Sequence, residues 1–87
     1  MDDLQVQKRG DIKESFNREE LYGKVRGTGL SAGQVNKVVQ RVEQWAETSS
    51  VDNTIDHRDL NRKIEEGISE EDPSAGAKFA MQHGDDD

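Results

Sequence analysis

Cysteine is absent from the 87 residues, so they can build no disulfide framework, thiolate zinc site or thiol nucleophile. Only two histidines are present for acid–base or metal work. Neither has a second histidine or a cysteine at ligand spacing, and no Walker loop or Ser/His/Asp set occurs, so the expected activity is not enzymatic. Aromatic residues are few: one Trp, one Tyr and two Phe. Leu, Ile, Val and Phe together number 17, near the lower limit for a chain that folds alone, which implies one small domain with a small core. Basic residues are outnumbered 12 to 19, for a net charge of -7. A surface of that sign disfavours direct nucleic acid binding through the phosphate backbone. No apolar run has the length of a signal-peptide core or a membrane span, so the expectation is a cytoplasmic protein without membrane contact.

What is present is clear local patterning. Residues 4–9 alternate apolar and polar, Gly10-Asp11 interrupts, and the alternation resumes over 12–16. That pattern predicts a β-hairpin with a two-residue turn, in which Gly10 takes the positive φ of the first central position. Two strands are unstable alone in water, so the face carrying Leu4, Val6, Ile12 and Phe16 is expected to lie on helices.

Helix starts follow a repeated grammar. Asn17 caps a helix, with Glu20 placed for a capping box and Phe16 and Leu21 as a hydrophobic staple. Ser31 and Gln34 repeat it with Leu30 and Val35, and Asp56 and Asp59 with Ile55 and Leu60. A fourth start is Asp72-Pro73, an acidic cap followed by proline at the first helical position. The spacing of Val35, Val38, Val39, Val42, Trp45 and Ala46 predicts a central helix over 32–47 with one buried stripe. Leu60, Ile64 and Ile68 mark the third helix, and Ala77, Ala80 and Met81 a weaker stripe on the last. The first helix carries Leu21, Tyr22 and Val25 before Gly27. The segment 48–54 reads as a polar loop, residues 1–3 as a disordered start, and 83–87 as a disordered acidic tail around a single domain spanning 4–82. The fold class is therefore α+β, mostly α, with an N-terminal hairpin packed on about four helices.

The run Val6-Gln7-Lys8-Arg9, a Gly/Asp turn, and then Glu14, Phe16 and Asn17 opening a helix resembles the start of the ATP-cone. That family is a regulatory domain found at the N-terminus of ribonucleotide reductases and, behind a zinc ribbon, in a repressor of their genes. The resemblance covers roughly residues 5–82 and extends to the later layout, with Ile55-Asp56-His57 leading a helix and Gly76-Ala77-Lys78-Phe79-Ala80 inside the last. It implies ATP or dATP as effector, bound between hairpin and helices; apart from the resemblance, Mg²⁺ is expected as the companion ion of a triphosphate. Effector binding would then alter self-association or contact with a protein partner. The positions that match are Val6, Lys8, Arg9, Glu14, Asn17 and Leu21, with His57 and Asn61 standing where the family places Thr or Ser and often His. Lys8 and Arg9 would face the phosphates, for which cationic donors and a planar guanidinium are suited.

The same residues have ordinary roles open to them. Asn17 and Glu20 serve as helix caps, Lys8 and Arg9 as solvated cations on an exposed strand, and His57 as a first-turn surface residue. Glu20 also stands where the family commonly carries a lysine, and acids occupy 85–87. Two readings follow: a nucleotide-binding regulatory module without catalytic activity, or a degenerate ATP-cone acting as a nucleotide-independent protein–protein interaction domain.

Overall fold

The alternating segment at the start of the chain enters a sheet of three strands rather than two. In the computed structural model, which describes residues 4–8, 10 and 12–83, β1 (Gln5–Gln7) pairs antiparallel with β2 (Lys13–Ser15) and parallel with β3 (Thr54–Asp56). The strand order is β2-β1-β3. Val6 sits opposite both Glu14 and Ile55, and Val6 and Ile55 are buried. Leu4 and Phe16 pack at the edge of the core. Ile12, expected on the same face, is 62% exposed. Its carbonyl accepts from the Lys8 N–H at 2.7 Å, one step beyond the paired strands. That bond leaves three residues between the strand ends rather than two, with Gly10 at φ 73°, a value that favours glycine.

Parallel pairing needs a long crossover, and α1 (Arg18–Arg26) and α2 (Ala32–Ser49) supply it. The chain returns to the sheet through Asp52 and Asn53, both at positive φ. Around them Val51 and Thr54 exchange both backbone hydrogen bonds, at 3.1 and 3.0 Å. Asp and Asn are the non-glycine types that tolerate this conformation. Segment 48–54 is thus the last turn of α2, a tight reversal and the first residue of β3, not a loop throughout.

The caps form as the sequence predicts, the boxes only in part. Asn17 Oδ1 accepts from the N–H groups of Glu19 and Glu20 at 2.8 and 3.2 Å, Asp56 from that of Arg58 at 2.8 Å, and Asp72 from that of Ser74 at 3.0 Å. Only Ser31 and Gln34 close a reciprocal box. Glu20 faces a cleft instead, and Asp59 is exposed. At the end of α1 the left-handed residue is Gly29, at φ 92°, and the Thr28 hydroxyl donates to the Val25 carbonyl at 2.6 Å.

The core lies between the sheet and α1, α2, α3 (His57–Glu71) and α4 (Pro73–His83). Val35, Val38, Val39, Val42 and Ala46 are buried along α2 and Trp45 is partly so. Leu60, Ile64 and Ile68 are buried along α3. On α4 the buried face is Ala75, Gly76 and Phe79, with Ala77 exposed and Met81 85% exposed. The expected stripe of Ala77, Ala80 and Met81 is therefore rotated by about half a turn. The cause is the close crossing of α4 over α3. A methyl group at Gly76 would lie 1.9 Å from Ser69 Oγ and 3.0 Å from Ser69 Cα, so the glycine face has to meet α3. Gly76→Ala is expected to cost about 1–3 kcal/mol through overpacking, lowering the urea midpoint at unchanged m. Gly23→Ala, on α1 with nothing within 4 Å, is expected to leave stability equal or up to ~1 kcal/mol higher.

Helix α4 includes His83. The expectations of disorder at 1–3 and 84–87 fall outside the described residues. Among the described residues no helix is long and apolar enough to cross a membrane.

Candidate functional site

Two helices and the hairpin enclose a cleft of about 390 Å³, within the size range of small-molecule sites. On α1 and just before it, Asn17, Glu20, Leu21 and Lys24 line the cleft, at the i, i+3, i+4, i+7 spacing of a single helix face. On α3 His57, Leu60, Asn61 and Ile64 do the same, at identical spacing. The hairpin and its flanks add Val6, Lys8, Glu14, Ser15 and Phe16, all but Ser15 at alternate positions that the strand pleat turns toward one side. Leu21, Leu60, Ile64 and Val6 are buried, so the cleft has an apolar wall continuous with the core.

Its polar groups carry opposed charges. Lys8 Nζ lies 3.1 Å from Glu14 Oε1, with both side chains about half exposed. Such a surface pair is worth at most about 1 kcal/mol, so an anionic ligand can displace Glu14 from Lys8 at small cost. Lys24 is half-buried and Glu20 exposed. The two lysines and two glutamates of the lining balance in formal charge. Asn17 spends its Oδ1 on the cap and keeps its amide donors, and Asn61, one turn after His57, is half-buried.

His57 is not the surface residue that its position suggests. Its side chain is 14% exposed, and Nδ1 lies 3.1 Å from the Gln7 carbonyl oxygen. A carbonyl only accepts, so Nδ1 carries the proton. The parallel pairing of β1 with β3 sets this contact, because it places Gln7 opposite Asp56. The Arg58 N–H, and then its guanidinium, hold the Asp56 carboxyl below the usual carboxylate range. That keeps the cap of α3 ionised, as its position at a helix N-terminus favours.

Of the eight residues expected in a nucleotide site, seven line this cleft: Val6, Lys8, Glu14, Asn17, Leu21, His57 and Asn61. Arg9 lies outside the described residues. Lys24 was missed, although extending the stripe from Asn17 and Leu21 by one turn reaches it. Phe16, Leu60 and Ile64 were assigned to staple and core, and they serve the cleft wall as well. Among the described residues no group of three His, Asp or Glu side chains could hold a metal ion. No family model matches this chain, and no curated protein matches it.

Proposed function

We propose that this domain binds a nucleoside triphosphate, ATP or dATP, in the cleft beneath the hairpin and acts as a regulatory module without chemistry of its own. One observation carries the reading: residues picked from three segments up to 55 positions apart, on the pattern of the ATP-cone, line a single cleft of ligand size. The apolar wall of Val6, Leu21 and Leu60 suits a base and ribose, and Lys8 and Lys24 supply donors for phosphate oxygens. The amides of Asn17 and Asn61 fit the remaining hydroxyl and phosphate oxygens. Mg²⁺ would arrive as the companion of the triphosphate, held by its phosphate oxygens and water.

Glu14 and Glu20 in the lining favour the second reading, an interaction domain that has lost its nucleotide, because they cancel the charge of the two lysines. Calorimetric titration with ATP, dATP and ADP separates the two, with Glu20→Lys as the informative variant. Reversing that charge is expected to tighten triphosphate binding by roughly tenfold, one added charge-assisted hydrogen bond being worth about 1.5 kcal/mol. The stability cost is expected to be a few tenths of a kcal/mol at the helix start, because Asn17 caps without help from Glu20. Absence of heat with every nucleotide, in both wild type and variant, would leave the interaction domain.

A further inference from the structure

His57 lines the cleft with one ring nitrogen already committed to the backbone. Nδ1–H is committed to the Gln7 carbonyl at 3.1 Å, so proton uptake by the ring occurs at Nε2. The neutral ring has a lone pair there, and the protonated ring a donor with a full positive charge. The side chain is mostly buried and His57 is among the residues that line the cleft, so an anion docking there shares the cleft with it. The charged groups that line the cleft with it are Lys8 just after β1, Glu14 from β2, and Glu20 and Lys24 from α1, and Asp56 Oδ1 lies 3.8 Å from Nδ1. The lining lysines and glutamates balance, and Arg58 bonds the Asp56 carboxylate. A docked polyphosphate would therefore dominate the local field. A negative ligand beside an imidazole favours the charged ring, and histidine is the side chain that can answer within the physiological range.

We propose that His57 makes the affinity of this cleft for polyphosphate anions proton-linked, with Nε2 taking one proton from solvent as the anion docks. The inference rests on the nucleotide reading and deepens it. Acidification would tighten binding, and the domain would report pH together with its effector. By linkage a single site changes affinity by at most tenfold per pH unit.

The test uses the full chain and inorganic tripolyphosphate, followed by ¹⁵N-resolved imidazole and amide NMR at pH 7, with the His57 signals assigned through His57→Gln. The expected result is saturable movement of the cleft amides together with a shift of His57 Nε2 toward its protonated form. Wild type should also bind about tenfold more tightly at pH 6 than at pH 8 relative to His57→Gln, which subtracts the ligand's own titration. His57→Arg, with a fixed charge, should lose the residue's contribution to the pH dependence while keeping affinity. Saturable cleft shifts with an unmoved imidazole, and one pH profile for wild type and His57→Gln, would overturn the linkage and leave nucleotide binding standing. Absence of any saturable cleft shift would overturn both.

Discussion

Truncating Phe79 to alanine is expected to leave the domain at or near its unfolding threshold. Phe79 is 1% exposed and is the largest of the fully buried side chains, and it is one of only two phenylalanines in the chain. Phe→Ala in a core costs about 3–5 kcal/mol, from lost transfer energy and the cavity left behind. Domains of this size have roughly 4–13 kcal/mol in total, and a core of mostly Val and Ile side chains places this one toward the lower end. A loss of that size lowers Tm by roughly 15–30 °C in a small domain. Thermal unfolding followed by circular dichroism checks it, with Met81→Ala on the same helix as control. Met81 is 85% exposed, and its removal is expected to change stability by less than ~0.5 kcal/mol. Equal effects of the two substitutions would mean that α4 does not pack by the face described.

The second large effect concerns binding. Lys8→Ala and Lys24→Ala are each expected to weaken ATP binding by about 10- to 100-fold, since a hydrogen bond to a charged group is worth about 1.5–3 kcal/mol and each 1.4 kcal/mol is tenfold. Stability should hardly move for Lys8, because its pair with Glu14 is half exposed and of the kind worth about 0–1 kcal/mol. The contrast is what identifies a ligand contact: affinity falls while the unfolding midpoint stays. Lys13→Ala is the matching control, being exposed and on β2 but off the cleft lining. Should Lys13→Ala weaken ATP as much as Lys8→Ala, the attraction would be diffuse and the cleft irrelevant to it.

The helices were legible because their information is local. Ser31 with Gln34 and the valine stripe of α2 each lie within a few turns of one helix, and caps and periodicity report them directly. Strand β3 was not legible. Three residues beside a helix cap carry no alternation to count, and Ile55 already had an explanation as a staple. What makes 54–56 a strand is β1, about fifty residues away, and the positive φ of Asp52 and Asn53 that turns the chain toward it. The face of α4 was hidden for a similar reason. Its apolar residues are small and sparse, so periodicity left the phase open, and the contact of Gly76 with Ser69 fixed it. Ile12 fits the alternation but lies past the covered part of the sheet, an outcome that depends on helix length and placement.

The candidate site divides along the same line. The hairpin and α1 positions were found from the ATP-cone pattern, and α1 periodicity alone would have added Lys24. The position of His57 against Gln7 depends on β3, so no local reading of the sequence distinguishes it from a surface histidine. Glu20 satisfies the spacing of a capping box, and yet Asn17 caps alone and the glutamate lines the cleft.

An amide NMR titration of the whole chain with ATP and Mg²⁺ tests the central claim most directly, because it reads affinity and location together. Saturable shifts are expected on Val6 and Lys8, along 17–24 and along 57–61, with the outer face of α4 around Ala77 and Met81 unchanged. No saturable shift at millimolar nucleotide, or shifts confined to residues off the cleft, would contradict it.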